Sequence, residues 1–442
     1  MINCFIPFLS LPQARQTVRA LGLCDRIKNI YLLATEKIPD EVEGCEMLMI
    51  DSPASTATFR TIALHADTAY TLLYTKYTAF EPGQFAFERL LAIAGDTNAG
   101  MLYADRYLLK NGNSQQAPVI DYQKGSLRDD FDFGSLLFFR SSVLKQAVRA
   151  MDADYRFAGL YDLRLRVSEL AELVHVNEYL YSEVEMDSRT SGEKLFDYVD
   201  PKNRAVQIEM EAVCTAYLKR VGGYLAPDFE PVTFDAGGFE QEASVIIPVR
   251  NRIRTIEDAI RSVLAQKTTF RFNLIIVDNH STDGTSEAIE KYTADGRVVH
   301  LVPERSDLGI GGCWNVGVHH PACGKFAVQL DSDDVYSGPD TLQKIVDAFY
   351  EQNCAMVVGT YRMTDFKMNE IPPGIIDHRE WTLENGRNNA LRINGLGAPR
   401  AFYTPVLRRI NLPNTSYGED YALYKRFYYD YQCRSMRPDR IV

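Results

Sequence analysis

Residues 325–334 read KFAVQLDSDD. Phe326 to Leu330 form an uncharged, mostly apolar run, the pattern of a strand buried on both faces. It ends in three carboxylates within four positions, Asp331, Asp333 and Asp334. Like charges this close repel, so their crowding calls for a counter-charge. Hard oxygen ligands at a strand end suit Mg²⁺ or Mn²⁺, which take one or two carboxylates and leave the other positions to phosphates and water. A metal held there would neutralise charge on a diphosphate leaving group.

Moving outward from this stretch, strands and helices alternate. SVIIP (244–248), NLIIVD (273–278) and RVVHLVPE (297–304) read as strands. TIEDAIRSVLAQ (255–266) reads as a helix with Ile256, Ile260, Val263 and Leu264 on one face, and Thr255 with Asp258 has capping-box spacing. DGTSEAIEKYT (283–293) and DTLQKIVDAFYEQ (340–352) read as helices, and GIGGCWNVGVHHP (309–321) as a Gly-rich turn into another. This alternation predicts an α/β fold with a mostly parallel sheet and helices on both faces. Ligands of such sheets bind beyond the carboxyl ends of the strands. Three marked loops fall there: 248–252, 278–284 and 331–334.

Residues 222–242 are rich in Gly, Pro and acids and lack periodicity. They read as a linker between a domain at 1–221 and one at 243–442. The first domain resembles a decayed copy of the second. AYTLLYTKYTAFEPGQFAFERLLAIA (69–94) lies over 325–349 so that Leu73 matches Leu330 and Pro82 matches Pro339 without a gap. Tyr74, Lys76 and Tyr77 then replace the three acids. LLFFRSSVL (136–144) resembles APRAFYTPVL (398–407), and GLYDLRL (159–165) resembles YGEDYAL (417–423), which sets Asp162 against Asp420. A repeat this long is a domain duplication.

The 442 residues carry 48 Lys+Arg against 59 Asp+Glu, a net charge of -11, and show no basic tract, so nucleic acid is not an expected partner. No apolar run approaches the roughly 18–20 residues of a membrane span, and the opening CFIPF reads as a strand and not a leader. The eight cysteines are scattered without a Cys-x-x-Cys, which suits reduced thiols in a cytoplasm and not a zinc site.

SVIIPVRNR, LIIVDNHSTDGT, DLGIGGCWNVGV, LDSDD and SYGEDYAL occur in this order from about Ser244 to the end. Together they resemble the inverting glycosyltransferases of family 2, which have the GT-A fold. The resemblance implies two tandem α/β domains, a C-terminal GT-A domain and an N-terminal degenerate copy. It also implies transfer of a sugar from a nucleoside diphosphate sugar to a hydroxyl acceptor with inversion. Pro248, Arg250 and Asn251 would border the base, and Asp278 and Asn279 would read it. An amide at Asn279 can both donate and accept. Gly311 and Asn315 would lie along the donor, although the family's Arg-Asn pair is Trp314-Asn315 here. Arg250 or Arg305 would then be left to meet the phosphates.

Asp331 and Asp333 fall on the family's DxD motif, with Ser332 between them and Asp334 following. Metal and ribose are expected among Asp331, Asp333 and Asp334, with the main ligand left open between the last two. Asp420 would be the base and Glu419 its orienting neighbour, because a carboxylate must take the acceptor's proton. Asn394, Gly395, Gly397, Arg400 and Trp381 would shape the acceptor side. The acceptor is a glycan, a lipid-linked sugar or a small hydroxyl compound, in polysaccharide or glycoconjugate synthesis. The expected location is cytoplasmic, with inner-membrane association and homo-oligomerisation left open. The chain stops soon after the base helix, which suggests a C-terminal truncation. A sugar nucleotidyltransferase and a non-catalytic nucleotide- or sugar-binding protein are the competing readings. The first is disfavoured by a loop, PVRNRIRT, without glycines.

Overall fold

The structure, a computed structural model, describes residues 1–37, 41–110, 112–184, 203–229, 232–235, 237–377, 381–382, 384–393, 400–423 and 433–435. Apart from residues 193–201, which lie outside the described set, the chain divides at Tyr224/Leu225 into two compact units. The expected mixed α/β fold in two tandem domains is what the chain adopts.

The first unit contains β1 (Ile2–Pro7), β2 (Ile27–Ala34), β3 (Glu46–Met49), β4 (Tyr70–Tyr74), β5 (Phe80–Pro82), β6 (Met101–Lys110), β7 (Asn113–Ala117), β8 (Leu136–Arg140) and β9 (Leu173–Val184). They form one sheet in the order β3-β2-β1-β4-β8-β6-β9-β5, with β7 paired to β6. The second unit contains β10 (Ala243–Val249), β11 (Phe272–Asp278), β12 (Val298–Leu301), β13 (Phe326–Gln329), β14 (Met356–Val358), the hairpin β15 (Tyr361–Thr364) and β16 (Glu370–Ile376), β17 (Arg400–Tyr403) and β18 (Cys433–Ser435). Its main sheet runs β12-β11-β10-β13-β17-β14-β18.

The two orders are one topology written twice. In each unit the first three strands and the fourth pair in parallel. The strand beside the fourth is antiparallel to both its neighbours, and the pair after it is parallel again, to which the first unit adds the antiparallel edge strand β5. The central strands β10, β11 and β13 are buried along nearly their whole length, as their continuous Val, Ile and Leu runs require. Helices pack on them through rows such as Ile256, Ile260 and Val263.

The register corrects the expected superposition by one residue. Phe326 pairs with Ala243 and Tyr403, and Tyr70 pairs with Ile2 and Arg140. Tyr70 is therefore the counterpart of Phe326, and Tyr74, not Leu73, stands opposite Leu330. Asp331, Asp333 and Asp334 correspond to Thr75, Tyr77 and Thr78 in place of Tyr74, Lys76 and Tyr77. Aligning the two prolines hid a loop one residue longer in the second unit, and a slip of one exchanges the faces of a strand.

Two further expectations change. The capping box at Thr255 does not form. Its hydroxyl is buried with no partner among the described residues, and Asp258 pairs with Arg261 at 2.8 Å. The segment read as linker is partly core, because the Phe234 ring packs on Phe326, Phe349, Tyr350 and Tyr403 at centroid distances of 5.1–6.4 Å.

Candidate active site

The three loops expected at the carboxyl ends of β10, β11 and β13 do meet. Asn251 takes a left-handed backbone (φ 55°), which turns the chain back over the next loop. Its amide N–H donates to the Ser281 hydroxyl at 2.9 Å, and its Oδ1 accepts from the Thr282 N–H at 2.8 Å. Asp283 closes the same turn, accepting from the Thr285 hydroxyl and from the Ile253 N–H. Pro248 is half-buried in β10, while Arg250 is exposed. Arg305 is held by Asp307 at 2.7 Å.

Asp278 is fully buried at the end of β11. It accepts from the Ser281 N–H at 3.0 Å and from the Ser286 hydroxyl, with His300 Nε2 3.6 Å away. Burial opposes its charge, but these hydrogen bonds prevail and hold it below the usual carboxylate range. Its oxygens thus fasten the turn. Beside it, Asn279 Nδ2 donates to the Leu308 carbonyl at 2.8 Å. Asn279 Oδ1 is buried and has no partner among the described residues, which leaves an acceptor open.

At the end of β13, Asp331 is half-buried and accepts from Gln329 Nε2 at 3.1 Å, Ser332 is buried, and Asp333 and Asp334 are exposed. Packed surroundings and the Asp331 and Asp333 charges push Asp334 up to about 7, with Arg400 acting in the opposite sense. Since the Asp334 side chain still reaches solvent, the crowding of like charges is the firmer of these causes. The three acids do not form a preassembled cage. Among the described residues, the trio whose ligand atoms all lie within 4.8 Å is Cys24, Asp25 and Glu88. A hard divalent ion fits the donor set in the sparser way usual for Mg²⁺, with one or two carboxylates and the rest from phosphates and water.

Beside Asp333 lies a cavity of about 260 Å³ walled by Asn251, Arg252, Arg254, Asp283 and Phe366. Arg252 stands 3.7 Å from Asp333, and Arg254 lies over the exposed Phe366 ring at 5.3 Å. Neither Arg252 nor Phe366 stood out in the sequence, because a loop Arg and a hairpin-tip Phe lack a local pattern.

Asp420 is tied to the end of β17 through Arg400. Arg400 Nη1 donates to its Oδ2 at 2.8 Å, and the Tyr421 N–H donates to its Oδ1 at 2.6 Å. Glu419 is half-buried, and one of its oxygens has no partner among the described residues. Burial raises its proton affinity, helped by the charges of Asp420 and Asp331. The structure therefore brings Asp331, Asp334, Glu419 and Asp420 into one electrostatic neighbourhood around Arg400.

Four residues expected at ligand contacts make structural contacts within the second unit. Gly311 packs against the loop before Asp420: an added Cβ would lie 2.0 Å from the Pro413 carbonyl oxygen, and its N–H donates to the Thr415 carbonyl at 3.0 Å. Asn315 clamps the same loop, donating to the Leu412 carbonyl at 2.8 Å and accepting from the Leu412 N–H at 3.0 Å. Arg400 is buried and donates to Asp420, and Trp381 is 5% exposed within the core. Asn394, Gly395 and Gly397 lie outside the described residues.

Among known proteins, the putative teichuronic acid biosynthesis glycosyltransferase TuaG of Bacillus subtilis is 33% identical over 120 residues, 27% of this chain and 46% of that protein. The putative glycosyltransferase EpsE of the same organism is 31% identical over 120 residues, 27% of this chain and 42% of that protein. A mannosyltransferase structure from Pyrobaculum calidifontis, in complex with GDP-Man and Mn²⁺, is 18% identical, covers 56% of this chain and 68% of that one, and has a TM-score of 0.36. The chain spans less than half the length of the curated relatives it matches. The family model of glycosyl transferase family 2 matches residues 244–430, the stretch that runs from β10 past Asp420.

Proposed function

We propose that the second unit transfers a sugar from a nucleoside diphosphate sugar to a hydroxyl acceptor with inversion. The observation that carries this reading is the hydrogen-bonded run Asp331–Gln329–Arg400–Asp420, which links a further carboxylate to the acids at the end of β13. Direct displacement needs those two poles, one beside the leaving group and one beside the attacking hydroxyl. Asp331 with Asp333 or Asp334 would hold Mg²⁺ or Mn²⁺, which when bound supplies positive charge to the departing diphosphate. Asn279 Oδ1 would accept from a base edge, because a buried acceptor without a partner costs about 1–3 kcal/mol. Arg250 and Arg252 are exposed cations of the loop after β10. Asp420 would take the hydroxyl proton through a lone pair left over from its two protein donors. The TuaG relative supports cell-surface polysaccharide synthesis as the setting.

The test is release of nucleoside diphosphate from a panel of UDP-, GDP- and dTDP-sugars, with and without Mn²⁺. We expect metal-dependent release from one base class. Asp420→Asn should abolish transfer in a protein that still folds, and an active Asp420→Asn protein refutes the assignment of the base.

A further inference from the structure

Gln329 and Arg400 face each other where β13 and β17 run out, one step past the paired residues Val328 and Ala401. Both are 7% exposed. Gln329 Nε2 donates to Asp331 Oδ1 at 3.1 Å, Arg400 Nε donates to Gln329 Oε1, and Arg400 Nη1 donates to Asp420 Oδ2 at 2.8 Å. A continuous run of hydrogen bonds thus joins the first acid of the DxD stretch to Asp420. Gln329 suits the middle position because its amide donates at one end and accepts at the other. Arg400 suits the next because its planar fork serves two acceptors in fixed directions.

The first unit supplies an internal comparison. By the sheet register, Leu73 is the counterpart of Gln329 and Leu137 the counterpart of Arg400. Leu73 and Leu137 pair directly across β4 and β8 and are buried. The fold position therefore accepts a leucine pair. A buried polar and charged pair there brings desolvation that leucines avoid, and such pairs are often no more stable than apolar ones. The copy that lacks the acids also lacks the polar pair, so the pair goes with the acids and not with the sheet.

We propose that Gln329 and Arg400 are positioning residues that hold Asp331 and Asp420 in one frame, fixing the donor's metal ligand relative to the base. This rests on the glycosyl-transfer reading above. In-line attack requires the leaving group and the attacking hydroxyl on opposite sides of the anomeric carbon. A shared frame prevents the two carboxylates from drifting independently.

The test is the double variant Gln329→Leu/Arg400→Leu, which copies the first unit, together with Arg400→Lys. Thermal melting of the double variant should match or exceed that of the wild type. Mn²⁺ affinity in the presence of UDP or GDP, read from the free-ion electron paramagnetic resonance signal, should fall about tenfold, as when a partner behind a metal ligand is lost. With a donor that the wild type turns over and saturating Mn²⁺, kcat should fall about 100-fold while donor KM changes little, the usual consequence of misplacement by about 1 Å. Arg400→Lys keeps the charge but not the fork and should recover little of that kcat. A folded double variant with kcat near wild type, or full activity in Arg400→Lys, overturns the proposal. If the double variant unfolds, the fold does not tolerate the leucine pair and Arg400→Lys alone decides. If the wild type releases no nucleoside diphosphate from any donor, the glycosyl-transfer reading fails instead. The Mn²⁺ measurement then judges the frame separately, and unchanged affinity in a folded Gln329→Leu protein refutes it.

Discussion

Gly311→Ala adds one methyl group and should disable the site from behind. The new Cβ would lie 2.0 Å from the Pro413 carbonyl oxygen, against the 3.0 Å below which Cβ contacts essentially do not occur. The 412–416 loop must therefore retreat by about 1 Å. It is held in place by Asn315 and by the Gly311 N–H, and it leads directly into Glu419 and Asp420. Overpacking of this kind costs about 1–3 kcal/mol. The helix Ile310–His319 partly offsets this, since alanine is favoured over glycine within a helix by about 1 kcal/mol. A base displaced by about 1 Å loses about 100-fold in rate, so the variant should be modestly less stable and severely less active. Melting temperature and steady-state kcat, compared with Gly296→Ala where an added Cβ meets nothing within 4 Å, measure this. The reasoning fails if Gly311→Ala keeps wild-type kcat, or if Gly296→Ala loses as much.

Asn315→Ala should cost about 1–3 kcal/mol in chemical denaturation, because the Leu412 N–H and carbonyl lose the amide that satisfies both. Trp381→Ala should cost about 3–5 kcal/mol as a core truncation and lower the melting temperature without a selective rise in acceptor KM. Asp278 has a depressed proton affinity in the folded state. Its stabilisation is therefore fully present above the unfolded value of about 3.9 and is lost as pH falls through the lower folded value. Asp278→Asn should flatten that acid limb in denaturation curves taken from pH 6 to pH 2.

The acids were legible because their chemistry is local: a charge cluster at the end of an apolar run implies a partner whatever the rest of the chain does. The α/β alternation was legible for the same reason, since burial on both faces leaves a continuous Val, Ile and Leu signature in β10 and β11. What escaped was long-range. Asn315 meets Leu412 across 97 residues and Gly311 meets Pro413 across a similar span, and no spacing rule reports such a contact. Gln329 left a faint trace as the one polar residue inside a buried strand, although only its neighbours reveal its use. Thr255 shows the converse, a good local motif whose hydroxyl finds no partner among the described residues. The repeat was visible through composition, but its register needed backbone pairing, because apolar strands look alike when shifted by one residue.

Phe234 has a practical consequence. Its ring closes an aromatic cluster that also contains Phe326, the first residue of β13. Anyone wishing to study the second unit alone would be tempted to cut at Ala243, where the sheet begins. A protein trimmed there would expose the Phe326, Tyr350 and Tyr403 rings behind the very strand that presents the acids, and would invite aggregation. A useful fragment has to begin ahead of Phe234 and its neighbour Val232, which packs on the same core, so the boundary of the domain lies inside a stretch that otherwise looks expendable.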